Sequence, residues 1–154
     1  SGGLVQVFAG TCGNITVPVT YYSKLIGVDA QVRSKKTMTL PLTPEFEHAI
    51  LLLTGDCSFE DQPLAPSRLY TLSPCQETLE IRSKNGGRFL LIGGLPFPEE
   101  ILMWWNFVAR TPEEIQQAHA DWTAQRRFGT VQGTQLTPLA APELGRMARP
   151  NLVS

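Results

Sequence analysis

Apolar residues between positions 4 and 110 occur in short runs, separated by Gly, Pro, Asp, Asn and Ser. This pattern is typical of many short β-strands rather than of helices. Turn-forming residues such as Asn85-Gly86-Gly87 fall between the runs and can reverse the chain between antiparallel neighbours. The predicted strands cover residues 4–9, 25–32, 37–42, 46–54, 68–72, 78–83, 88–92 and 101–109, with shorter pieces around Val17 and Ser58.

This succession of strands predicts a sandwich or a barrel. No helical segment interrupts it, whereas parallel strands need crossovers of about a dozen residues. We therefore predict a mostly β fold, an antiparallel jelly roll, with one helix and an extended tail after the last strand.

The helix is predicted over residues 112–125. Thr111 supplies an N-cap hydroxyl, Pro112 suits the first helical position, and Glu114 completes a capping box. Apolar residues and one histidine then recur at helical spacing and define one face that should pack on the body of the domain. They are Ile115, Ala118, His119 and Trp122.

The two ends of the chain differ from the middle in composition. Residues 130–154 are rich in Thr, Ala, Pro and Gly, and Pro138, Pro142 and Pro150 oppose long regular elements. We expect a tail that either wraps the domain or stays mobile. Residues 1–3, Ser-Gly-Gly, are interpreted as a linker or cloning remnant, which leaves 4–129 as the domain itself.

Net charge and hydropathy limit the kinds of partner that we expect for this chain. The 13 basic and 14 acidic residues give a formal net charge of −1, so no general attraction to nucleic acid or to anionic membranes is expected. No apolar run reaches the roughly 18 to 20 residues that cross a bilayer. A cytoplasmic location is the expectation.

Three motifs follow one another in the second half of the chain: Gly-Gly-Leu-Pro-Phe at 93–97, Trp-Trp-Asn-Phe-Val at 104–108 and Glu-Glu-Ile-Gln-Gln-Ala at 113–118. Their order resembles the segment near the end of bacterial pirins. Upstream, residues 37–42 and 47–56 resemble the first turn and strand of a C-terminal cupin module. Together the similarity covers roughly residues 5–129.

The resemblance implies a cupin-type jelly roll that forms one half of a bicupin. In pirins a mononuclear iron lies in the N-terminal half, held by three histidines and a glutamate, and that half has no counterpart in these 154 residues. Some members oxidise quercetin in a dioxygenase reaction, and others act as nuclear cofactors of transcription factors. The function implied here is a non-catalytic C-terminal cupin, without a cofactor of its own, that packs against the iron-bearing half or against a second copy in a homodimer.

The number of possible metal-binding side chains bears on the hypothesis of a non-catalytic domain. The chain has two histidines, His48 and His119, so three histidine ligands cannot be assembled from it. Glu45, Glu47 and His48 can still form a carboxylate-rich site, although an imidazole beside a carboxylate is more often a structural hydrogen bond. The alternative function is therefore a stand-alone or assembled metal-dependent, quercetinase-like dioxygenase acting on a small aromatic substrate. No catalytic or cofactor-binding residue is assigned.

Trp104 and Trp105 are the candidate interface residues. Neighbouring side chains on a strand point to opposite faces, so the pair predicts one tryptophan inside the barrel and one beneath the helix or tail. The alternative is an outward tryptophan that anchors the N-terminal cupin half.

Overall fold

The computed structural model describes residues 2–145, and within them it is mostly β with a single helix. This confirms the predicted fold class. The strands are β1 (Gly3–Cys12), β2 (Ile15–Thr16), β3 (Leu25–Val32), β4 (Lys36–Pro41), β5 (Glu47–Gly55), β6 (Ser58–Phe59), β7 (Gln62–Pro63), β8 (Leu69–Thr71), β9 (Thr78–Ser83), β10 (Gly87–Gly94), β11 (Leu102–Trp104) and β12 (Phe107–Ala109), and the helix is α1 (Pro112–Thr123).

The described chain forms two compact units, residues 2–96 and residues 97–145. In the first unit one sheet has the order β2-β1-β3-β10-β5-β8 and the other the order β4-β9-β6-β7. Each of these neighbouring pairs is antiparallel.

The core of the first unit lies between its two sheets and follows the alternation of the strands. In β3 the buried side chains include Ile26, Val28 and Ala30, and in β9 they include Leu79 and Ile81. Each set repeats every second residue, as expected for strands with one buried face. These residues and those of β4, β5 and β10 form one cluster, so the interior is a single apolar core.

Asp56 ties the end of β5 to the turn that joins β9 and β10. Its carboxylate accepts hydrogen bonds from the Ser83 hydroxyl at 2.8 Å and from the backbone N–H groups of Lys84 and Asn85 at 2.8 and 3.1 Å. These bonds lower the pKa of Asp56 from 3.8 to about 2, because they favour the charged carboxylate. The contact links the two sheets, since β5 and β9 belong to different ones.

Two strands have the predicted bounds, five others differ from them by one to three residues at their ends, and the last predicted strand is a hairpin. The strands β3 and β9 have the predicted bounds. The strand predicted over 101–109 is instead the hairpin β11–β12, in which Trp104 pairs with Phe107. The chain reverses at Trp105, whose φ of 50° lies in the left-handed region, so this residue cannot continue a strand.

The second unit is built around α1, whose predicted N-cap is confirmed. The Glu114 N–H donates to the Thr111 hydroxyl at 3.2 Å, and the Glu114 carboxylate accepts from the Arg110 N–H at 2.9 Å. The helix ends at Thr123, two residues before the predicted end. Its buried residues, Ile115 and Ala118, pack with Leu102 and Phe107 of the hairpin. The apolar face of the helix is therefore covered within its own unit.

The first part of the predicted tail, residues 130–145, has no helix or strand. Two side chains of α1 hold it: the Trp122 indole N–H donates to the Leu139 carbonyl at 2.8 Å, and His119 Nε2 lies 3.0 Å from the Pro142 carbonyl. This part of the tail lies against the helix. The prediction for residues 146–154, including Pro150, lies outside the described residues.

Among residues 2–145 no helix is both long and apolar enough to pass through a bilayer.

Candidate functional site

His48 lies inside the barrel of the first unit. It shares the core-facing side of β5 with Ile50 and Leu52, and only 6% of its surface is exposed. Gly93 of β10 is its cross-strand partner, and the Phe46 ring lies 6.0 Å away between centroids. The imidazole is thus enclosed by backbone and by an aromatic ring.

Burial lowers the pKa of His48 below its usual 6.5, and a hydrogen bond with the Phe46 backbone acts in the opposite direction. The cause is desolvation, because an apolar interior disfavours the charged imidazolium. The ring is therefore neutral near pH 7. Among the described residues, its Nε2 atom has no hydrogen-bond partner.

The two glutamates predicted to accompany His48 are both exposed. Glu47 is the neighbour of His48 along β5, so the pleat directs its side chain to the other face of the sheet. Glu45 precedes the strand and lines an open cleft at the end of the barrel. Across residues 2–145 no group of three or more His, Cys, Asp or Glu side chains is arranged to hold a metal ion.

An iron site of the kind that the family resemblance places in the N-terminal half does not fit these residues. Such a site needs three imidazoles and a carboxylate around one point. Here His48 is in the barrel, whereas His119 lies on α1, where it contacts the Pro142 carbonyl and the ring of Trp104. No chemical step is therefore routed through a metal in this chain.

Trp104 and Trp105 both belong to the aromatic cluster of the second unit. The Trp105 ring meets Phe107 and Trp122 edge to face, with centroids 5.4 Å apart in each case. The Trp104 ring stacks on Phe107 at 6.2 Å. The prediction that one of the pair lies in the barrel core is wrong, because the turn at Trp105 breaks the strand alternation on which it rested. A role in contacting a partner stays a prediction.

Sequence reasoning missed the open cleft at the end of the barrel. It has a volume of about 910 Å³ and is lined by the end of β1, the irregular segment 17–24 and residues 41–46. Its aromatic lining includes Tyr21, Tyr22 and Phe46. The available signal was the pair of adjacent tyrosines in a segment without strand periodicity, which by itself indicates only a loop.

A family model and several curated relatives match most of the chain. The family model described as "Pirin C-terminal cupin domain" matches residues 27–129. A Pseudomonas aeruginosa protein named "Putative quercetin 2,3-dioxygenase PA1205" is 34% identical over 144 residues, which is 93% of this chain and 46% of that protein. A "Pirin-like protein" of Caulobacter vibrioides is 28% identical over 127 residues, which is 82% of this chain and 43% of that protein.

A solved structure shows the same relationship in three dimensions. The crystal structure of quercetin 2,3-dioxygenase from Acinetobacter baumannii superposes with a TM-score of 0.85 at 35% sequence identity, over 96% of this chain and 50% of that one. The chain thus spans about half the length of the relatives it matches. The fold is of the cupin type, and the family model matches residues 27–129. The chain therefore belongs to the pirin family, as a C-terminal cupin domain.

Proposed function

We propose that this chain is the non-catalytic C-terminal cupin half of a pirin-like bicupin, and that it packs against and supports a metal-bearing N-terminal cupin half. The proposal rests on the small number of side chains in this chain that could bind a metal ion. The whole chain has two histidines, and the described residues provide no group of three ligand-type side chains. The chemistry named for the relatives then belongs to the half that this chain does not contain, where iron is the expected metal.

A surface suited to such packing is the outer face of the six-stranded sheet, opposite the core. Two short rows of apolar side chains lie on it, and the Asp29–Arg88 ion pair of β3 and β10 lies on the same face. In one row the Phe8 ring covers Gly27, which lies beside Ile92. In the other, Leu51 lies between Leu90 and Leu69, its partners on the two neighbouring strands.

We call Phe8, Leu51, Leu69, Leu90 and Ile92 the outer apolar face. Phe8, Leu69 and Ile92 are 48%, 53% and 39% exposed, so the face is open to solvent in the chain alone. Exposed apolar side chains grouped on one face of a sheet are typical of contact sites for other proteins. The length of the relatives supports a second cupin half as the partner.

The absence of a metal site is tested by elemental analysis of the 154-residue chain, produced in medium supplemented with iron, nickel and manganese. We expect far less than one metal ion per chain, and no change in His48→Ala. Metal near one per chain that is lost in His48→Ala would overturn the proposal in favour of a stand-alone metal-dependent dioxygenase.

The supporting role is tested by coexpressing the chain with the N-terminal half of the Pseudomonas aeruginosa relative. We expect the two to copurify and Ile92→Asp to weaken the complex about tenfold or more, since a charge in an apolar contact loses its hydration. The matched control is Val131→Asp in the exposed tail. Two folded parts that do not associate, or equal effects of the two variants, would contradict this role.

A further inference from the structure

The cleft at the open end of the barrel, here called the mouth cleft, lies wholly within the first unit. Its volume of about 910 Å³ falls within the range of roughly 300–1,000 Å³ that is usual for small-molecule sites. Its walls come from separate parts of the chain, which include residues 10–13, 16–17, 21–25 and 41–46. The mouth cleft is thus a product of the fold.

Part of the wall of the mouth cleft is apolar and aromatic. Val17, Tyr21, Leu25 and Phe46 line it and are half-buried, so each has one side in the protein and one side facing solvent. Phe46 is backed by the His48 ring, with centroids 6.0 Å apart and planes at 33°. Because Phe46 is half-buried and lines the cleft, its solvent-facing part offers aromatic surface on which a flat molecule can stack.

The polar groups of the mouth cleft are mostly hydroxyls. Besides Tyr21, the lining includes Tyr22, Ser23, Thr11, Thr16 and Thr43. The Thr11 and Thr16 hydroxyls lie 3.1 Å apart across the β1–β2 pair. The charged lining residues are one lysine and one glutamate, Lys24 and Glu45, whose formal charges cancel. This composition favours a neutral ligand with hydrogen-bonding groups over an ion.

The backbone keeps the two sides of the mouth cleft in place. Gly10 has a φ of 66°, and a Cβ there would lie 1.7 Å from the Leu25 carbonyl oxygen, so β1 and β3 approach closely only because this residue is glycine. The Val17 N–H donates to the Gly10 carbonyl at 3.0 Å. This bond holds the start of the segment 17–24 next to the end of β1.

We propose that the mouth cleft is a binding site for a neutral ring compound that carries hydroxyl groups. The ring stacks on Phe46 and Tyr21, and its hydroxyl groups exchange hydrogen bonds with the threonine, serine and tyrosine side chains of the lining. Binding at this site needs no metal ion. It is therefore a second proposed property of the C-terminal half, separate from its support of the N-terminal half.

The test is a titration of the 154-residue chain with 2-naphthol, followed by ¹H–¹⁵N NMR. We expect chemical-shift changes centred on residues 10–25 and 41–46. Two comparison compounds separate the contributions: 2-fluoronaphthalene lacks the hydroxyl, and naphthalene-2-sulfonate carries a charge. Each should bind about tenfold more weakly than 2-naphthol, since the lining hydroxyls lose a partner or an ion must be desolvated.

Two neighbouring residues of β2 offer a matched pair of variants. Thr16 lines the mouth cleft, whereas Ile15 is exposed outside the lining, so Thr16→Trp fills the cleft and Ile15→Trp makes the same addition beside it. We expect Thr16→Trp to weaken 2-naphthol binding about tenfold or more, and Ile15→Trp to leave it within about twofold. No binding, equal effects of the two variants, equal affinity for the three compounds, or shift changes centred on the outer apolar face would each overturn the proposal. None of these outcomes alters the metal analysis or the copurification test of the supporting role.

Discussion

Gly93 lies directly opposite His48 across the β5–β10 pair, and its lack of a side chain makes room for the buried imidazole. A Cβ at Gly93 would lie 2.8 Å from His48 Cδ2 and 2.4 Å from the Glu47 carbonyl oxygen. The second distance matters more, because the strand backbone cannot move aside as a side chain can. The buried position of His48 therefore depends on the absence of a side chain at Gly93.

Gly93→Ala is expected to lower the free energy of unfolding by about 1–3 kcal/mol, because overpacking a close backbone contact forces β5 and β10 apart. Urea unfolding followed by circular dichroism measures this. The control is Gly145→Ala, where the new methyl group meets nothing within 4 Å. Equal stability of the two variants would show that the β5–β10 contact adjusts without strain.

The stability contributed at His48 should depend on pH with a defined sign. Burial lowers the pKa of His48 in the folded state below the 6.5 of the unfolded chain, so the unfolded chain binds more protons in this range. Stability is then complete above about pH 6.5 and falls as the pH drops through the folded-state value, by at most about 1.4 kcal/mol per pH unit for one proton.

His48→Leu removes this titration while it keeps the site apolar. Unfolding in urea between about pH 7.5 and pH 5 should show a shallower loss of stability in the variant than in the parent chain. Identical pH slopes would mean that His48 takes up a proton in the folded state as readily as in the unfolded state.

The stability contributed by Asp56 should be lost at a lower pH than the stability contributed at His48. Its pKa of about 2 in the folded state lies below the reference value of 3.8, so its contribution is present above about pH 4 and is lost as the pH falls toward 2. Asp56→Asn should therefore destabilise the chain near neutral pH, and the difference from the parent should shrink in acid. Urea midpoints measured from about pH 6 to about pH 2 check this.

The control for Asp56 is Asp61→Asn. Asp61 is a surface carboxylate paired with Arg82, with 83% of its side chain exposed. Such exposed pairs contribute little, so this variant should stay close to the parent near neutral pH. If it matched Asp56→Asn instead, the link between β5 and the β9–β10 turn would have no special role in stability.

Trp122→Phe should loosen the tail while it keeps an aromatic ring in the cluster. The substitution removes the hydrogen bond to the Leu139 carbonyl, whose net value of about 0.5–1.5 kcal/mol corresponds to roughly a twofold to tenfold change in opening. Limited chymotrypsin digestion should cut after Leu136 and Leu139 faster by that factor. Trp105→Phe, in the same cluster, should leave the cleavage rate unchanged, and equal acceleration in both variants would attribute the effect to the cluster.

Local features were predictable where short-range physics decides the structure. The alternation of apolar residues defined β3 and β9 to the residue, and the sequence Thr111-Pro112-Glu113-Glu114 identified the start of α1. These signals are carried by neighbours in the chain, so no tertiary knowledge was needed. The hairpin at Trp105 was missed because its two-residue turn, Trp105-Asn106, carries a single turn-favouring residue, Asn106, within an otherwise apolar run.

The sequence by itself determined the fold class, the helix with its cap, the family and the shortage of histidine. Periodicity, capping residues, the order of motifs and residue counts can all be found from the order of residues along the chain, without any contact between distant segments. Only the tertiary structure decided that His48 is buried against Gly93, that Trp104 and Trp105 share one cluster, and that residues 10–25 and 41–46 enclose the mouth cleft. These relationships join residues far apart in the chain. Strand register and the space left between side chains bring them together, and neither can be derived from the pattern of any one segment.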